Sequence, residues 1–226
     1  MLPNARAVVA GCAGSAALAT LALASALAHA EPPEQAAAAF AIERNGTPIG
    51  THRVRYSRDR TDVIVSHEIE IQVTLAFVDF YRYRLTSRER WRGSRLIALD
   101  ARVNKNGAPL QVMLRAMRRE TVVQTAAGRV TAPADVVPQS PSWNVLTTAR
   151  TTMLDAETGA LVPVRVAGPA AEAIPLRGAS VPTRRYQVRG GDRATLWYDA
   201  RDMLVRKRLQ APDGSTIEYT LRGSTP

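Results

Sequence analysis

The sequence predicts a mainly β protein: an antiparallel meander of about ten strands curled into a half-barrel or open barrel, with one short helix as a lid. Three observations lead there. Apolar residues recur at every second position over long runs, most clearly from Asp62 to Leu75. Tight-turn dipeptides such as Asn45-Gly46, Asn106-Gly107 and Asp213-Gly214 separate these runs at short, regular spacing. Only Ser140-Pro141 has the form of a helix start, a capping serine followed by proline at the first helical position. So many strands do not stay flat in an open sheet, which favours curling.

The first 30 residues read as a secretory leader. A short polar segment carrying Arg6 is followed by an Ala/Leu-rich run from Ala16 to Leu27 and the small-x-small triplet Ala28-His29-Ala30, which places cleavage after Ala30. The run is too diluted with Ala, Ser and Thr for a transmembrane span of about 20 strongly apolar residues. Too few apolar residues precede Cys12 for Val9-Ala10-Gly11-Cys12 to be a lipidation site. Export is expected to leave residues 31–226 as a single domain in the periplasm, and that part contains no cysteine. Disulfides, thiol chemistry and cysteine-ligated zinc are thereby excluded from it.

The chain carries a formal charge of +10, almost all of it from arginine, since Lys105 and Lys207 are the only lysines. Outside the cytoplasm such a charge is drawn to anionic headgroups rather than nucleic acid.

The first convincing strand begins at Phe40 and returns through Asn45-Gly46 into Pro48 to Ser57, where His52, Val54 and Tyr56 share a face. A turn centred on Asp59-Arg60 would set His52 opposite His67, Val54 opposite Val65 and Tyr56 opposite Val63. The third strand, Phe77 to Trp91, puts Tyr81, Tyr83, Leu85, Ser87, Glu89 and Trp91 on one face and Arg82, Arg84, Arg88 and Arg90 on the other. Burying four arginines is prohibitive, so the aromatic face turns inward and takes Glu89 with it. Further hairpins are expected around Asn106-Gly107 and Ala127-Gly128. The helix is expected from Ser140 to about Arg150, Ala167 to Pro182 reads as a long loop, and four strands follow from Arg184 to Arg222.

His52 and His67 are the only histidines beyond the leader. With Glu89 they have the composition of a two-histidine, one-carboxylate metal site. The plainer expectation is a hydrogen-bonded polar patch inside the barrel, involving Tyr81 and Tyr83, with no cofactor. Serine hydrolysis through Ser140 or Ser142 lacks a G-x-S-x-G elbow, and helix capping explains both serines.

Ile49-Gly50, Glu89-Arg90-Trp91, Ser142-Trp143-Asn144, Trp197-Tyr198-Asp199 and Asp213-Gly214-Ser215 together resemble a bacterial family of exported proteins of unknown function, over almost the whole chain beyond the leader. At the level of fold, the meander is similar to the half-barrels of periplasmic lipoprotein carriers and outer-membrane lipoprotein receptors, and this implies an acyl chain in the concavity. The expected role is therefore non-enzymatic binding of a lipid-like or other hydrophobic molecule in the concave face, lined by His52, His67, Tyr81, Tyr83, Glu89 and Trp91. The alternatives are a metal-binding protein or enzyme using His52, His67 and Glu89, and an envelope scaffold whose basic face meets an anionic membrane surface.

Overall fold

The computed structural model describes residues 35–75, 78–118, 120–191 and 193–225. The expected leader, with Cys12 and the expected cleavage site after Ala30, lies outside these residues.

The alternation pattern produces long strands: β1 (Gln35–Arg44), β2 (Thr47–Asp59), β3 (Asp62–Leu75), β4 (Val78–Arg92), β5 (Arg95–Lys105) and β6 (Ala108–Ala116), followed by the shorter β7 (Thr121–Thr125) and β8 (Gly128–Ala132). Next come β9 (Val137–Pro138), a 3-10 helix (Val145–Ala149), β10 (Thr152–Leu154) and β11 (Leu161–Pro163). The chain ends with β12 (Arg165–Leu176), β13 (Ala179–Arg189), β14 (Ala194–Tyr198), β15 (Leu204–Gln210) and β16 (Thr216–Thr225).

Thirteen strands form one antiparallel sheet in the order β12-β13-β14-β15-β16-β1-β2-β3-β4-β5-β6-β7-β8. It is two meanders joined where β16 pairs with β1, and it does not close, because β8 and β12 remain its edges. The segment between those edges supplies the small sheet β11-β10-β9. That segment packs into the same core as both wings: Val136, Val137, Trp143, Met153 and Leu154 join Tyr56, Val65, Trp91 and Leu99 from one side and Ile174, Tyr186 and Tyr198 from the other. Each such side chain removed from water stabilises the fold by about 1.5–3 kcal/mol.

Five expectations need correction. Among the described residues sixteen strands replace the expected ten or so. The Ala167–Pro182 stretch is no loop but most of the β12–β13 hairpin, which turns on Arg177 and Gly178, both with positive φ. The helical lid is a single 3-10 turn capped by Asn144, whose side chain accepts from Leu146 N. Ser140-Pro141 is a cis peptide, not a helix start, and the residues around it are core.

The fifth correction is one of register. Asp59 pairs with Asp62, so the turn is Arg60-Thr61, with Arg60 at a φ of 58°. His52 therefore faces Ile69, and His67 faces Val54. The slip is two residues, an even number, so every inward side chain stays inward.

Candidate functional site

His52, His67 and Glu89 lie on the inner faces of β2, β3 and β4, each displaced by one residue pair from its neighbour. Glu89 is opposite Val65 and His67 is opposite Ser87. Such diagonal neighbours on adjacent strands remain within reach of long side chains. His52 Nε2 lies 3.2 Å from His67 Nδ1, and His67 Nε2 lies 3.4 Å from Glu89 Oε1. The other carboxylate oxygen, Oε2, accepts hydrogen bonds of 2.7 Å from the indoles of both Trp91 and Trp143. Trp143 stands edge-on to Tyr56 and Trp91, so the carboxylate is roofed by aromatic rings.

All three polar residues are sealed: His52 is 2% exposed, His67 3% and Glu89 0%. Burial above all, then the neighbouring His67 and the positive charge of Lys207, hold His52 well below the usual imidazole range. It is neutral at pH 7. Burial, reinforced by the Glu89 charge, pushes the Tyr56 phenol upward.

The polar residues continue across the sheet. His52 stacks on Phe40 of β1 at 5.3 Å and meets Tyr219 of β16 edge-on at 6.2 Å. Lys207 of β15 places its Nζ 5.7 Å from the Tyr219 ring centre. Lys207 is itself 3% exposed, with Nζ 3.4 Å from Ser140 Oγ and 3.5 Å from Ser142 Oγ. Ser142 Oγ donates to the Gln139 carbonyl, and Tyr198 OH donates to the Ser142 carbonyl at 2.9 Å. A polar and aromatic belt thus crosses six adjacent strands, β15, β16, β1, β2, β3 and β4.

The histidines and Glu89 form a line, each group facing the next, rather than three donors aimed at one point as an ion would require. Among the described residues no group of three or more His, Cys, Asp or Glu side chains is placed to hold a metal.

Towards the opposite ends of β3 and β4 from Trp91, the interior opens into a cavity of about 570 Å³. Its floor is a second apolar cluster, in which Ile42, Ile69, Leu85 and Val103 are packed by Ile49, Ile71, Tyr83 and Ile217. Gln139, Ser140, Val162, Leu209 and Tyr219 are among the groups that wall it, and Phe80 stands beside it, 72% exposed. Burial pushes the Tyr83 phenol upward, so it stays a hydrogen-bond donor. Two rim cations are already paired, Lys105 with Glu157 at 2.8 Å and Arg44 with Asp213.

The six expected site residues therefore divide. Tyr81 and Tyr83 line the cavity, while His52, His67, Glu89 and Trp91 lie in the sealed core. Two of the outward arginines are engaged, Arg84 with Glu68 and Glu70, and Arg90 with Asp59 and Asp62. Lys207 was absent from the expected set, although the sequence holds its signal: it takes the apolar place between Val205 and Leu209 in an alternating run.

A family model described as Domain of unknown function (DUF6134) matches residues 40–222. The chain is a DUF6134 protein. The match runs from Phe40 in β1 to Arg222 in β16, the two strands that join the meanders, so the DUF6134 unit is this sheet with the segment it surrounds. A search of curated proteins gives no match. The short motifs of the DUF6134 chain have structural work to do. Gly50 admits the β3 backbone, Glu89 and Trp91 meet Trp143, Asn144 caps the 3-10 turn, and Ser215 donates to Asp213.

Proposed function

We propose that this DUF6134 protein is an exported, non-enzymatic binding protein whose sheet, curved as a half-barrel, holds a lipid-like or other hydrophobic small molecule. The observation that carries the reading is the cavity of about 570 Å³ on a floor of Ile69, Ile71, Leu85 and Ile217. Its size falls in the range of small-molecule sites, about 300–1,000 Å³, and apolar walls with a few polar groups are what such sites use. The segment carrying Trp143 fills one end of the interior and leaves the other open. A core built only for stability would close that space, since interiors pack to crystal-like density.

The test is native mass spectrometry and lipid extraction on protein purified from the envelope of its host. One bound hydrophobic molecule per chain is expected, together with a higher melting temperature on adding alkyl ligands to stripped protein. Empty protein whose melting temperature ignores alkyl ligands overturns the reading.

A further inference from the structure

We infer that the ligand is an amphiphile with an uncharged, oxygen-bearing headgroup, an ester or an alcohol, that accepts a hydrogen bond from the Tyr83 hydroxyl. This rests on the cavity being a hydrophobic ligand site, and it adds the charge and the placing of the polar end.

Along β3 and β4 the cavity wall runs outward in three paired rows, from Ile69 and Leu85 through Ile71 and Tyr83 to Val73 and Tyr81. Tyr83 is half-buried, with its ring against the apolar floor. Its hydroxyl makes no hydrogen bond to any described residue. Nor is that oxygen sealed in the core, so it is reached from the cavity that Tyr83 lines. A tyrosine hydroxyl drawn away from bulk water normally finds a partner, because an unpaired donor keeps the cost of its lost hydration. Burial first, then the charge of Glu157, keeps the phenol protonated, so it is a donor at neutral pH.

The charges level with Tyr83 select the kind of acceptor. Lys105 faces Tyr83 across β4 and β5 and is bonded to Glu157 at 2.8 Å, and Arg44 is bonded to Asp213. Asp155, the third carboxylate lining the cavity, is in no ion pair among the described residues. It accepts instead from the backbone N–H groups of Glu157 and Thr158 and from Thr158 Oγ1. The lining therefore carries an excess of negative charge, and an anionic headgroup meets repulsion with both lining cations already bound. A cationic headgroup finds every carboxylate served, two by side chains and Asp155 by its own turn, so it loses hydration for little return. An uncharged oxygen avoids both costs and supplies the partner that Tyr83 lacks. The tail then lies on the inner row, over Ile69 and Leu85.

The experiment measures displacement of a fluorescent alkyl probe from lipid-stripped protein at pH 7.5 by methyl laurate, dodecanol, laurate, dodecyltrimethylammonium and dodecane. At least one of methyl laurate and dodecanol is expected to bind about tenfold or more tighter than either ion. The tighter of the two tells whether the headgroup only accepts, as an ester, or also donates, as an alcohol. Tyr83→Phe, which keeps the ring, is expected to weaken that ligand about fivefold without weakening dodecane. Asp155→Asn, which can keep the turn, is expected to strengthen laurate about threefold. An ion that binds as tightly as the neutral ligands, Tyr83→Phe that keeps their affinity, or Asp155→Asn that leaves laurate unchanged overturns the headgroup assignment and leaves the hydrophobic-ligand reading standing. Failure of all five ligands to bind overturns both.

Discussion

Glu89 and Trp143, 54 residues apart in sequence, meet through a 2.7 Å hydrogen bond from the indole N–H to carboxylate Oε2. The bond ties the segment between the sheet's edges to the centre of the sheet. Trp91 donates to the same oxygen, so one buried atom satisfies two indoles. Leaving a buried donor unpaired costs about 1–3 kcal/mol. Glu89→Ala is therefore expected to destabilise the protein by about 3–5 kcal/mol in urea unfolding, from two orphaned donors and the lost packing. Glu89→Gln keeps an accepting oxygen and is expected to cost about 1–2 kcal/mol. Equal losses for the two variants would remove the carboxylate from this role.

The neutral state of His52 makes stability depend on pH. Its folded pKa lies well below the 6.5 of an ordinary imidazole. Below that value the unfolded chain binds a proton that the folded chain refuses, so stability is fully present above about pH 6.5 and falls as pH falls towards the folded value. The slope reaches at most about 1.4 kcal/mol per pH unit for one proton. Asp62 and Asp213 are also lowered, Asp62 first by its hydrogen bond from Arg92 and Asp213 first by its bond from Ser215, but both titrate in the acid range of carboxylates. Unfolding midpoints between pH 7.5 and 5 should therefore drop for the wild type and drop less for His52→Phe, which keeps an aromatic ring against Phe40. Parallel curves for the two proteins would place the pH dependence elsewhere.

Gly50 on β2 has no room for a side chain against the β3 backbone. A Cβ at this position would sit 2.0 Å from the Glu70 carbonyl oxygen, so any other residue must push backbone away from backbone. Gly50→Ala is expected to cost about 3 kcal/mol, more than an ordinary overpacked side chain because the sheet ladder itself moves. Gly46, in the β1–β2 turn, has nothing within 4 Å of an added Cβ, and only its φ of 82° resists substitution. Gly46→Ala should cost about 1 kcal/mol. Chemical denaturation of the two variants side by side checks the ranking, and a milder Gly50→Ala would show that the strands part easily.

The strands were legible because an alternating pattern reports which face is buried whatever the partner. Parity also brought Tyr81, Tyr83, Glu89 and Trp91 inward correctly, and it survived the slip that moved His52 from His67 to Ile69. The slip itself was not legible. Arg60 takes the positive φ of the turn, which an arginine does not advertise as Asn-Gly does. β12 was hidden by composition: Gly168-Pro169 sits at a bulge between Ala167 and Ala170, so residues that usually mark a loop here lie inside a strand. The meeting of Glu89 with Trp143 and of Lys207 with Ser140 depends on how the 133–164 segment enters the sheet, and no periodicity encodes that.

The cavity offers a way to separate binding from stability. Ile71 is half-buried on β3 and lines the cavity, so a larger side chain there projects into open space rather than into packed core. Most overpacking substitutions cost about 1–3 kcal/mol because neighbours must move. Ile71→Trp should escape most of that cost, since the added ring takes up part of the 570 Å³ and buries apolar surface as it does so. Its urea midpoint is expected to match or exceed the wild type, while its affinity for dodecanol falls at least tenfold. A variant that loses stability and keeps affinity would mean that the alkyl chain lies elsewhere, and a variant that loses neither would mean that the tail bypasses Ile71.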